Sequence, residues 1–158
     1  MTRRITPFLW FDTQAEEAAK HYVSIFKNSK IVKITRYGEA GPGPKGSVMT
    51  VEFRLDGQDV IALNGGPHFR FNEAISLSVD CKDQREVDHY WKRLSAGGEE
   101  GSCGWLKDKF GVSWQVNPGI LGKLLADRDA KKATRVMKAM FAMKKIVIAD
   151  LKRAYGGK

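Results

Sequence analysis

The sequence predicts an α+β protein: two βαβββ modules followed by a helical extension. Three observations carry this. Segments of period two and of helical period succeed one another as strand, helix and three strands, and the series then runs a second time. Leu77-Ser-Val-Asp80 repeats Leu9-Trp-Phe-Asp12 at a spacing of 68, and the same spacing carries His21-Tyr22 to His89-Tyr90 and Phe26 to Leu94. After Pro118 the pattern turns helical and lysine-rich. The expected division is 1–118 for the paired modules, about 1–72 and 73–118, and 119–158 for the extension.

The apolar run Ile5–Phe11 reads as the first strand, and Asp12 or Thr13 as the cap of a helix with Glu16 and Glu17 in its first turn. Ala15, Ala18, Ala19, Tyr22, Val23 and Phe26 recur at helical spacing, and Asn28-Ser29 ends the helix. Lys30–Tyr37 alternates as a strand, and Gly38–Gly46 is a Gly/Pro loop. In Ser47–Leu55, Met49, Val51, Phe53 and Leu55 share one face, with Val48, Thr50, Glu52 and Arg54 on the other. Asp56-Gly57 signals a hairpin into Gln58–Asn64. In the second module, a strand around Leu77–Asp80 precedes a helix from about Asp83 to Leu94, closed by Gly97-Gly98. Strands follow at 99–101, 102–107 and 112–117, which places both cysteines, Cys81 and Cys103, in strands. In the extension, Ile120–Ala126 is a short helix. Asp127 or Asp129 caps a longer one, whose stripe of Ala133, Val136, Met137, Met140 and Phe141 faces inward and continues through Val147, Ile148 and Leu151.

Charge is unevenly placed. The net +9 comes from 27 Lys+Arg against 18 Asp+Glu, yet 119–158 alone holds eleven Lys/Arg against three Asp. The body is nearly neutral, which argues against an acidic substrate there. Nucleic-acid binding through the basic helix is the weaker reading, because its lysines also serve as the solvated side of a packed helix. No apolar run approaches a membrane span of about 20 residues, and no secretory leader is expected from Met1-Thr-Arg-Arg-Ile5. Two cysteines without metal-type spacing fit free thiols and a cytoplasmic location.

Several motifs together carry a resemblance. They are Phe8-Leu-Trp-Phe11, Ala15-Glu-Glu-Ala18, Leu63-Asn-Gly-Gly-Pro-His-Phe69, Asp88-His-Tyr-Trp91, Cys103-Gly-Trp-Leu-Lys-Asp108, Phe110-Gly-Val-Ser-Trp-Gln115 and the Met137…Met140…Met143-Lys-Lys145 tail. Over nearly its whole length the chain resembles the PhnB-like family, labelled 3-demethylubiquinone-9 3-methyltransferase, of the vicinal oxygen chelate superfamily. The resemblance implies two modules whose mixed sheet curls around a cleft, in a homodimer. It also implies, in metal-using members, two ligands per module from the first and last strands. Those positions fall here at Thr6 or Pro7, Ala62, Ala74 and Gln115. One amide oxygen cannot hold a divalent ion, so no metal is expected. The family label implies a methyl donor. The sole tight glycine pair near a strand end, Gly65-Gly66, runs into Pro67 instead of a helix, so no cofactor is expected either.

Alternation selects the cleft-facing side chains. Ile75, Leu77 and Val79 turn toward the helices, leaving Ala74, Ser76 and Ser78 on the cleft side. Phe8 and Trp10 join them, with Thr50 and Glu52, with Val60, Ala62 and Asn64, and with Ser113, Gln115 and Asn117. The expected ligand residues are Trp10, Thr50, Asn64, Ser76, Ser78, Cys103, Trp105, Ser113 and Gln115. This apolar-and-amide lining suits a small uncharged or aromatic molecule. Candidate catalytic groups are Glu52, as general base or anchor, His68 after the Gly65-Gly66 turn, and Gln115. Two have a plainer reading: an exposed-face Glu for Glu52 and a surface-turn His for His68. For Cys103 a reactive thiol would need a cation such as Lys107, and a buried thiol beside Trp105 is the plainer alternative.

Overall fold

The computed structural model describes residues 5–157; the basic stretch through Arg4 and Lys158 lie outside the described residues. The chain divides into two compact units at Phe71/Asn72.

The first unit contains β1 (Phe8–Phe11), α1 (Ala15–Ile25), β2 (Lys30–Arg36), β3 (Val48–Leu55) and β4 (Gln58–Asn64). Its sheet order is β1-β4-β3-β2, with β1 parallel to β4 and the other pairs antiparallel. β1 starts three residues later than expected because Pro7 has no N–H to donate; its carbonyl still accepts from Ile61 at 3.0 Å. The Asp56-Gly57 turn has positive φ at both residues, 42° and 80°, as the tightest right-twisted hairpins require. α1 packs on β3 and β4, burying Ala15, Ala18, Ala19, Tyr22 and Ile25 against Val51, Phe53, Val60 and Ala62.

That packing reverses the expected face of β4. Directly paired residues point to one side of a sheet, and the register pairs Val51 with Ala62 and Phe53 with Val60. Val60, Ala62 and Asn64 therefore lie on the helix side. The open side carries Trp10, Thr50, Glu52, Ile61 and Leu63. The α1 cap also differs from expectation. Neither Asp12 nor Thr13 closes the helix, and the N-cap residue Gln14 makes no side-chain cap. Asn64 does this work from across the sheet: its Oδ1 accepts from Ala15 N at 2.8 Å, and its Nδ2 donates to Val48 O at 3.1 Å.

The second unit contains β5 (Leu77–Cys81), α2 (Gln84–Ser95), β6 (Glu99–Glu100), β7 (Trp105–Lys107), β8 (Ser113–Pro118), α3 (Gly119–Leu125), α4 (Ala130–Phe141) and α5 (Ile148–Gly156). Its sheet order, β5-β8-β7-β6, repeats that of the first unit, again with the outer first strand parallel to the last. The repeat corrects one correspondence. Trp10 pairs with Leu63 and Ser78 with Gln115, so Gln115 answers to Leu63 rather than Ala62. Ile75 lies before β5 and is 69% exposed, not packed toward the helices. Cys103 is not in a strand: Cys103 (φ 57°) and Gly104 (φ 81°) form a left-handed pair that holds β7 to three residues.

One carboxylate organises the β7–β8 turn. Asp108, 3% exposed, accepts on Oδ1 from Phe110 N (2.8 Å) and Val112 N (3.0 Å), and on Oδ2 from Trp114 Nε1 (2.8 Å). A buried charge is tolerable when its lone pairs are filled in this way.

The extension is built into the second unit. Leu121, Val136, Ile146 and Leu151 form a buried cluster with Met140, Met143 and Tyr155 around it. Helical periodicity runs on past Phe141, but the helix stops there. The carbonyls of Met143 and Lys144 instead accept from Cys103 N and Gly104 N, both at 2.8 Å. Gln84 clasps the same segment, accepting from Ile148 N (2.8 Å) and donating to Ile146 O (3.1 Å). Of the expected inward stripe, Val136 is buried, while Met137 and Phe141 are exposed. Part of the basic charge is spent internally: Lys145 pairs with Asp88 at 2.6 Å, and Arg135 donates to Ala154 O and Tyr155 O at the end of α5.

Candidate functional site

Each unit has its own hollow. In the first, about 520 Å³ lies at the start of α1, between the Pro42-Gly43-Pro44 loop, Tyr37 and the Asn64–His68 turn, with Asp12 and Glu16 at its edge. Tyr37 donates to Asn64 O at 2.6 Å, so the loop is hung on the turn. Trp10 closes the other side of that turn: its Nε1 donates to Gly66 O at 2.9 Å, and its ring meets Phe69 edge-on at 5.0 Å. Asn64 borders the hollow, but both ends of its amide are engaged within the fold. His68 sits at the exposed lip. Thr50 and Glu52 stand on the open face of the sheet and border neither hollow; Glu52 is opposite Lys33 and Ile61.

In the second unit, about 650 Å³ opens over the sheet. Register puts Ser78, Trp105, Lys107, Ser113 and Gln115 on one face. Trp105 and Gln115 line the hollow with Asn117 and Cys103; Ser113 is buried and Ser78 exposed, and neither lines it. A polar chain crosses the floor. Asn117 Nδ2 donates to Gln115 Oε1 at 3.4 Å, and Gln115 Nε2 donates to Ser76 Oγ at 3.0 Å. This fixes the Gln115 amide and leaves an oxygen lone pair and the Ser76 proton for a bound molecule. Glu73, at the rim, is tied to Lys107 at 2.6 Å, and that ammonium holds its carboxyl below the ordinary carboxylate range. Lys107, the cation considered for Cys103, is therefore engaged elsewhere. Cys103 is half-buried, whereas Cys81 is fully buried and its thiol is pushed up to about 12, by burial first and then by Glu86, Asp80 and Asp83.

The structure thus brings Ser76, Cys103, Trp105 and Gln115 together, and separately Trp10, Asn64 and His68. Of the three catalytic candidates, Glu52 stands on the open sheet face of the first unit and His68 at the lip of its hollow, while Gln115 belongs to the second unit. Leu121, Met140 and Phe141, none of them expected at a ligand site, line the second hollow from the extension. The helical stripe of Met140 and Phe141 was visible in the sequence, but not the surface it meets.

Neither bound group implied by the resemblance fits these residues. For a metal, the first module offers Thr6 or Pro7, with the fully buried Ala62 or its corrected counterpart Leu63. The second offers Ala74, which has no side-chain donor atom, and the single amide oxygen of Gln115. Among the described residues no cluster of three or more His, Cys, Asp or Glu could hold an ion. For a methyl donor, the Gly65-Gly66 turn is closed by the protein itself: a Cβ on Gly65 would lie 2.3 Å from the Trp10 ring. No helix N-terminus follows the turn to receive an anionic group.

No helix among the described residues is long and apolar enough to cross a membrane. No curated protein matches the chain in sequence. A solved structure from Bacillus cereus that carries the names 3-demethylubiquinone-9 3-methyltransferase and PhnB is 38% identical, with a TM-score of 0.68; the match covers 74% of this chain and 100% of that one. Protein PA1353 from Pseudomonas aeruginosa (21% identity, TM-score 0.62, 74% and 98% covered) shares the fold. So does the fosfomycin resistance protein FosX from Listeria monocytogenes (17%, 0.54, 80% and 99%). The family model for 3-demethylubiquinone-9 3-methyltransferase matches residues 3–117. With paired βαβββ modules and this match, the chain belongs to the PhnB-type 3-demethylubiquinone-9 3-methyltransferase family and has the vicinal oxygen chelate fold.

Proposed function

We propose that this protein binds a small uncharged aromatic molecule, without a metal, in the hollow over its second sheet. The observation that carries the reading is the lining. Trp105 supplies a flat apolar surface, Gln115 and Ser76 supply a fixed acceptor and donor, and the carboxylate at the rim is neutralised by Lys107. Among the described residues, none that lines the hollow is a Lys or Arg to meet an anionic ligand. Free thiols at Cys81 and Cys103 support a reducing, cytoplasmic setting. The exposed rings of Phe8 (55%) and Phe69 (65%) support association of two copies, which light scattering of the purified protein tests.

The binding test uses N-phenyl-1-naphthylamine, a neutral bicyclic probe that fluoresces in apolar sites. Saturable binding is expected, about tenfold weaker in Trp105→Ala. Absence of saturable binding, or binding indifferent to Trp105→Ala, overturns the proposal.

A further inference from the structure

We infer that the C-terminal extension supplies the aromatic-selective wall of the hollow over the second sheet, through Met140 and Phe141. The inference rests on that hollow being the ligand site, and it adds residues that lie outside the family match. The family model ends at residue 117, short of the Met137…Met140…Met143-Lys-Lys145 tail expected from the resemblance. The Bacillus cereus relative is matched over its full length by 74% of this chain, so the remaining quarter has no counterpart there. Yet Leu121, Met140 and Phe141 all line the hollow, together with Trp105 and Gln115.

The wall is held in place. Immediately after Phe141, the carbonyls of Met143 and Lys144 are fixed by Cys103 N and Gly104 N, Ile146 and Ile148 by Gln84, and Lys145 by Asp88. Met140 also packs against the buried Leu121–Val136–Ile146–Leu151 cluster. Phe141 is different: it lines the hollow yet remains 65% exposed, so most of its ring is available to a ligand. A thioether, a phenyl ring and an indole lining one hollow favour an aromatic occupant over a saturated one of equal shape, through sulfur–ring and edge-to-face contacts with it.

The experiment compares 1-naphthol with decahydro-1-naphthol, each displacing N-phenyl-1-naphthylamine, in the full chain and in the Met140→Leu/Phe141→Leu double variant. Leucine keeps apolar bulk, and Phe141 is too exposed to be needed for folding, so the thermal midpoint should hold. The unaltered protein is expected to prefer the aromatic alcohol, and the double variant to lose about tenfold of that preference. Probe binding that depends on Trp105 with an unchanged preference in the double variant overturns this inference alone. No probe binding by the unaltered chain overturns it together with the proposed function.

Discussion

Removing the Asp108 carboxylate should damage the second unit more than any other single polar change. Its two oxygens fill three donors, Phe110 N, Val112 N and Trp114 Nε1, in a site with almost no access to water. Asp108→Ala strands all three. Each buried unsatisfied donor costs about 1–3 kcal/mol, and because the three share one site the expected loss is about 4 kcal/mol rather than their sum. Against a total stability of about 5–15 kcal/mol, that leaves the variant near its folding threshold. Asp108→Asn keeps an acceptor for the two backbone groups but turns an NH2 toward the indole N–H, so about 2–3 kcal/mol is expected. Urea unfolding followed by tryptophan fluorescence measures both. Adding Trp114→Phe to Asp108→Asn removes the opposed donor, and the double variant should recover about 1 kcal/mol relative to the sum of the single changes. If Asp108→Ala unfolds within about 1 kcal/mol of the parent at an unchanged m-value, the turn does not depend on this carboxylate.

Asn64→Leu should cost about 1–2 kcal/mol by uncapping α1 and freeing Val48 O, with amide exchange accelerating first at Ala15; unchanged protection there would contradict the cross-sheet cap. Tyr155 donates to Asp127 Oδ2 at 2.6 Å, a bond that lowers the Asp127 pKa and raises that of Tyr155. Asp127, depressed on folding, adds stability that is present above its unfolded value and lost as pH falls through the folded one. Tyr155, raised on folding, adds stability that is present below its unfolded value and lost as pH rises through the folded one. Tyr155→Phe should therefore flatten both the acid limb below about pH 4 and the alkaline limb above about pH 10 in thermal-midpoint scans. Limbs that match the parent's would contradict the pairing. Metal analysis of protein purified without chelator should find far less than one transition-metal ion per chain, and one ion per chain would overturn the donor-set argument.

The modules were legible where local pattern and local partners coincide. The alternation of Val51, Phe53 and Leu55 and the Asp56-Gly57 turn each need only near neighbours, and the repeat at Leu77 tied the second module to the first. The β4 face was not legible, because Val60-Ile-Ala-Leu63 is apolar at every position and alternation has nothing to alternate; only pairing with Val51 and Phe53 decides it. The cap of α1 was missed because it comes from 49 residues away. Cys103 looked like strand because an extended run and a left-handed pair share the same letters until Gly104 has a conformation. The ends of α4 and the wall of the second hollow depend on hydrogen bonds between the 103–104 and 143–144 backbones, which no period in the sequence reports.

The indole of Trp10 lies where a side chain on residue 65 would begin. A mutation that gave residue 65 a methyl group would clash with this ring unless residue 10 shrank in the same lineage. The two positions therefore form an evolutionary pair. Among homologues, glycine at 65 should travel with a large aromatic at 10, and the two sites should change together or not at all.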